Sequence, residues 1–146
     1  MPLMLYALAF AAGLVLTIQV GVNSTLRQAV GSPAMAALAS FAVGLVGLLA
    51  FLLLTRASWP DRAALWSAPG WAWAGGLLGA FYVATTIIVG PRLGAASLLA
   101  LCVLGQLLAS LVVDHFGWIG FPQHSISLAR LAGAALLFAG VVLIVR

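Results

Sequence analysis

The sequence predicts an all-α integral membrane protein with five transmembrane helices, and three observations carry that class. Of 146 residues, 65% are hydrophobic and 5% are charged, with a mean hydropathy of +1.25; a soluble domain carries about a quarter charged residues. The apolar residues fall in long blocks that approach or exceed the ~20 needed to cross a bilayer. No block alternates apolar and polar residues at period two, as the strands of a membrane barrel do.

Proline marks the boundaries. Pro2, Pro33, Pro60, Pro69, Pro91 and Pro122 each fall at the edge of an apolar run or between two runs, where a missing amide is harmless. The chain then reads as a single five-helix transmembrane domain over 1–146, with spans at about 3–26, 34–54, 71–89, 93–113 and 128–145. At 1.5 Å per residue the first span reaches ~36 Å, enough to cross with some tilt. It lacks a basic leading segment and is too long for the apolar core of a signal peptide. The fifth is the shortest, and Arg130 and Arg146 flank it; arginine can snorkel, so both ends reach the interface. The two longer connections, 55–70 and 114–127, are rich in Trp, Phe and Pro, a composition suited to the headgroup layer.

The charge balance is six Arg against two Asp, for a net +4 and a pI near 10.8. Nucleic-acid binding needs clustered basic residues, and these arginines are scattered singly at the ends of apolar runs, so no nucleic-acid partner is expected. Five spans place the termini on opposite faces. The N-terminal face holds Arg56, Arg62 and Arg130, and the other holds Arg27, Arg92 and Arg146. Orientation is normally set by an excess of Lys and Arg in the cytoplasmic loops. That excess is absent, and the amino terminus adds only a small bias, so the chain is expected to insert both ways up. Trp59, Trp66, Trp71, Trp73 and Trp118 all map to the N-terminal face. Tryptophan normally anchors both interfaces, and two antiparallel copies would supply a belt to each.

An antiparallel homodimer is therefore the expected assembly, with the bilayer as its surroundings. Helix association in lipid relies on small residues that let backbones approach. Gly75, Gly76 and Gly79 supply them in span three, Gly44 and Gly47 in span two, and Gly133 and Gly140 in span five. Such stripes also serve packing within one chain. Gly133 and Gly140, seven apart on one stripe, are the expected dimer contact. Cys102 is alone and reads as a packing residue.

No catalytic constellation, metal-spaced cluster or cofactor motif is present, so neither enzyme activity nor a cofactor or metal is expected. Asp114, His115 and His124 read as helix termination and interfacial solvation. The informative polar residues are those inside the spans, where polar groups are costly unless they face protein or water. Gln19, Asn23 and Arg27 are spaced i, i+4, i+8 and stack on one helical face. Ser40 lies in span two, Tyr82, Thr85 and Thr86 in span three, and Gln106 and Ser110 in span four. They read as the lining of a substrate pathway or as hydrogen-bonding glue between helices. No carboxylate lies within a span, which disfavours a cation/proton antiporter and favours a neutral, polar or anionic small-molecule substrate, with Arg27 as a partner for an anion.

The stretch Gln19-Val-Gly-Val-Asn23-Ser-Thr-Leu-Arg27, continuing through Gly31-Ser-Pro33 to Ser40-Phe41-x-x-Gly44, resembles the YdcZ-type family of bacterial inner-membrane proteins. So do Gly90-Pro91-Arg92-Leu-Gly94, Gly105-Gln106-Leu-Leu-Ala-Ser110 and Asp114-His115-Phe-Gly117. The resemblance runs over nearly the whole chain and implies membership of the drug/metabolite transporter superfamily. It implies a fold like one half of an inverted-repeat transporter, working as an antiparallel pair of one chain or of two paralogues. It carries over no substrate. Small multidrug exporters differ: they have four spans and a Glu in the first, where this chain has Gln19 and Asn23. The function expected is a small secondary transporter working by alternating access in the bacterial inner membrane. A passive channel of the dual-topology kind, or a subunit that anchors or modulates a partner, are the rival readings.

Overall fold

In a computed structural model, which describes residues 2–146, every regular element is helical. The long helices are α1 (Pro2–Val30), α2 (Pro33–Leu54), α4 (Gly75–Leu93), α5 (Ala95–Phe116) and α6 (Leu128–Val145), with a short α3 (Arg62–Ser67) and a 3-10 turn at Gly70–Ala74 before α4. Five stretches are long and apolar enough to cross a membrane: Leu3–Val30, Pro33–Leu54, Gly70–Leu93, Ala95–Phe116 and Leu128–Val145. The first, third and fourth run past the ends that the apolar blocks delimit, to residues 30, 93 and 116, and the fourth begins two residues later than expected. The hydrogen-bonded ladder continues through flanking polar residues such as Arg27 and Gln28 until a cap stops it. The amino terminus, counted above as a small charge bias, lies outside the described residues.

The helix ends follow from local chemistry. Gly31 (φ +73) takes the left-handed conformation that ends α1, its N–H donating to Arg27 O at 2.9 Å. Ser32 then caps α2, its hydroxyl accepting from the Met35 N–H at 3.4 Å, and Pro33 occupies the first turn. Three residues thus close one helix and open the next. Asp61 caps α3 by accepting from Ala64 N–H at 2.7 Å, and Ser127 caps α6 by accepting from Arg130 N–H at 3.3 Å. Gly117 (φ +64) ends α5 in a Schellman pattern, with Trp118 N–H donating to Val113 O at 3.0 Å. Pro91 departs from the expectation that every proline sits outside or at the edge of a helix. It lies inside α4, with the helix continuing to Leu93.

The chain divides into two compact units, Met1–Arg92 and Leu93–Arg146. In the first, α1 packs on α2. The core is Ala36 and Ala37 of α2 with Val83 and Ile87 of α4, flanked by Leu26, Tyr82 and Ala84. The small Ala36 and Ala37 side chains of α2 leave room for β-branched Val83 and Ile87. In the second unit α5 packs on α6. Leu104 and Leu111 on α5 and Ala134 and Val141 on α6 are buried. Each pair is seven residues apart, the spacing of a narrow seam.

Outside these seams the surface is apolar. Leu3, Phe10, Val43, Leu54, Phe81, Leu136 and Leu143 are all more than 70% exposed. In water this would be an aggregation surface; against lipid tails it has no such cost. The stripes of small residues are likewise open. A Cβ placed at Gly44, Gly47, Gly75, Gly76, Gly133 or Gly140 meets nothing within 4 Å, whereas one at Gly79 meets Phe41 Cζ at 3.7 Å. Of these glycines, Gly79 is the one that faces a neighbouring side chain, at an ordinary van der Waals distance.

Candidate functional site

The polar face of α1 is where the first unit concentrates its in-span polar groups. Gln19 is half-buried and opens, with Ser40, Phe41, Gly44, Leu45 and Leu48 of α2, onto a groove of about 370 Å³. The structure thus brings together Gln19 and Ser40, assigned to separate spans on sequence. Gly44 keeps the groove open, because any side chain there would project toward its free volume. One turn on, Asn23 is only 3% exposed. No fully enclosed side-chain polar atom among the described residues lacks a partner.

Arg27 completes the face, and its contact explains Pro91. In an α-helix the N–H of residue 91 would donate to the carbonyl of residue 87. Proline has no N–H, so the Ile87 carbonyl loses that donor, although Ile87 is 0% exposed. Arg27 Nη1 donates to it at 3.1 Å. A guanidinium reaching into α4 in this way is anchored to protein, unlike one that snorkels to the headgroups.

Other predicted residues divide differently. Thr86 is buried, and its hydroxyl donates back to Val83 O at 2.9 Å, the self-satisfying bond common for threonine within helices. Tyr82 packs against the Ala36, Ala37, Val83 and Ile87 core, and Thr85 is half-buried beside it. Gln106 and Ser110 lie on α5 in the second unit, and both are exposed. The Ser110 hydroxyl donates to Leu107 O at 2.9 Å.

Ser110 also borders a cleft of about 460 Å³ with Leu107, Leu111, Asp114, Arg130, Gly133 and Ala134. At its rim Arg130 Nη1 lies 3.2 Å from Asp114 Oδ2 and 3.2 Å from His124 O. His124 N–H donates to Asp114 O at 2.7 Å, Gln123 Nε2 to His115 O at 3.0 Å, and Ile126 N–H to His115 Nδ1 at 3.3 Å. Both histidines are tied into the α5–α6 connection, in keeping with a role at the helix end.

Sequence reasoning missed the ion pair, the Phe41 wall of the groove and the link from Arg27 to Ile87. Only the last left a signal, a proline four residues after an in-span carbonyl. Nothing in the sequence names the donor that replaces the lost N–H.

A chain with five membrane-crossing helices and a polar face in its first span belongs to the class of multi-pass membrane proteins. Residues 4–143 match the family described as "Putative inner membrane exporter, YdcZ", and the chain belongs to that family. It is 29% identical over 140 residues to the Inner membrane protein YdcZ of Escherichia coli (strain K12), covering 96% of this chain and 93% of that protein. No solved structure matches. The protein is a multi-pass protein of the inner membrane.

Proposed function

We propose that this protein is a small secondary transporter that works as an antiparallel dual-topology homodimer. It moves a small polar solute, neutral or anionic, by alternating access. Membership of the family described as "Putative inner membrane exporter, YdcZ" supports transport. The observation that carries the mechanism is the α1 face, where Gln19 opens with Ser40 onto a groove in otherwise apolar surroundings. Polar groups in hydrocarbon are retained where they face a pathway or a partner, and Gln19 and Asn23 have the neutral donors and acceptors to replace a solute's hydration. Two copies related by a two-fold axis in the membrane plane would present two such faces and make inward- and outward-open states equivalent. This is the arrangement of inverted-repeat transporters. The stripe of Gly133 and Gly140, open to a further helix, forms the contact between copies.

The test is a flux screen of small metabolites in proteoliposomes with the unsubstituted protein and Gln19→Ala. Loss of at least tenfold in flux, with the dimer still assembled, is the expected result. Unchanged flux, or loss of flux only through loss of the dimer, makes Gln19 glue and overturns its place in the pathway. Turnover far above ~10³ per second is faster than conformational cycling allows and would replace the transporter by a channel.

A further inference from the structure

We infer that Arg27 is the receptor for an anionic group on the solute, a carboxylate or phosphate, and that Pro91, lacking an N–H, leaves free the Ile87 carbonyl that holds it in place. The inference rests on the transporter reading and narrows its substrate class. A guanidinium has five N–H donors in a rigid fork. One nitrogen, Nη1, is engaged by the buried Ile87 carbonyl at 3.1 Å, the acceptor that Pro91 strips of its helical donor. A side chain tied at one corner loses less freedom when its remaining donors close on a ligand, so the anchor lowers the cost of binding. The fork matches the geometry of a carboxylate or phosphate.

The charge inventory leaves this cation without a protein counter-ion. The chain has two carboxylate side chains. Asp61 is engaged in capping α3, and Asp114 pairs with Arg130 in the other unit. Arg27 is half-buried, and among the described residues no ion pair includes it. One turn before it lies Asn23, 3% exposed, whose amide carries both donors and an acceptor. A guanidinium and an amide stacked at i and i+4 on one face suit an anion whose second polar group needs a neutral hydrogen bond.

The design separates the two tasks of Arg27. In Arg27→Gln the Ile87 carbonyl loses its donor, so stability and anion binding both fall. Pro91→Ala restores the N–H that serves that carbonyl within α4. The double variant Arg27→Gln/Pro91→Ala therefore regains stability and still lacks the receptor. Purified protein is melted with lactate, benzoate or inorganic phosphate, with lactamide and benzamide as neutral controls. Expected is a rise in Tm of at least 2 °C with one or more of the anions and none with its amide, absent from both Arg27→Gln variants. The double variant is expected to melt within 1 °C of Pro91→Ala alone. Protection by amides as strong as by anions, protection that survives in the double variant, or no protection by any anion overturns the receptor. A double variant that melts as low as Arg27→Gln overturns the role of Pro91. Flux of a neutral solute that is lost in Gln19→Ala and kept in the double variant overturns the anion while retaining the transporter. Absence of flux for every solute in the unsubstituted protein removes the transporter reading itself.

Discussion

Arg56 holds a left-handed backbone at the end of α2, with φ +48, where glycine is the usual occupant. The turn around it is well bonded. Ala57 N–H donates to Leu52 O at 3.1 Å and the Thr55 hydroxyl to Phe51 O at 2.7 Å. A side chain in this conformation costs roughly 1–2 kcal/mol relative to the ordinary helical region. Arg56→Gly is therefore expected to stabilise α2 by about 0.5–1 kcal/mol, less than the full strain because glycine also loosens the unfolded chain. Thermal melting in detergent checks this, and a lower melting point would refute it. The strain was not legible in the sequence, because nothing distinguishes an arginine that ends a helix in the left-handed region from one that follows it. The spacing of Gln19, Asn23 and Arg27, by contrast, is legible, since period 3.6 places all three on one face of any helix that contains them.

The α5–α6 hairpin joins its helices through a charge pair set against both helix dipoles. Asp114 lies in the last turn of α5, where a cation is favoured, and Arg130 in the first turn of α6, where an anion is. Each charge is unfavourable alone and is offset by the other at 3.2 Å. Removing both members should cost less than the two single losses together. Asp114→Asn or Arg130→Gln is expected to lower stability by about 1 kcal/mol, Arg130→Gln the more because its bond to His124 O also goes. The double variant should lose less than the sum of the two. A double-mutant cycle in denaturant checks the sign of the coupling, and strictly additive losses would refute it. The sequence shows the termination at Asp114-His115-Phe116-Gly117 and the cap at Ser127. Pairing across 16 residues depends on how the intervening connection folds back, which no local pattern encodes.

For the whole molecule, orientation is the property most open to test. On the proposed topology, with three arginines on each face, the amino terminus gives the one small bias toward either insertion. A C-terminal reporter pair, one active in the cytoplasm and one in the periplasm, is expected to give signal on both sides in comparable amounts. Adding two lysines to the 55–70 connection should drive most of the population one way, because the orientation rule counts basic residues near the helix ends. A single strongly preferred orientation of the unsubstituted chain would overturn dual topology. The exposed apolar faces and the unfilled stripe at Gly133 and Gly140 agree with a chain that meets lipid and another helix along its length.

Lipid surroundings, five stretches long and apolar enough to cross them, and the identity of the in-span polar residues are all legible in the sequence. Those properties follow from composition, block length and helical period, which are local. Helix ends are local as well, set by Gly31, Ser32, Pro33, Gly117 and Ser127, although the apolar blocks alone placed the ends of α1, α4 and α5 three or four residues short. The tertiary structure decided which polar residues meet. It placed Gln19 beside Ser40, turned the Thr86 hydroxyl back on its own helix, closed Asp114 on Arg130, and brought Arg27 to the carbonyl that Pro91 leaves open. Each of the meetings between elements joins residues far apart in the chain. Side-chain reach and the packing of Ala36 and Ala37 against Val83 and Ile87 fix such distances, and neither is written in any single stretch of sequence.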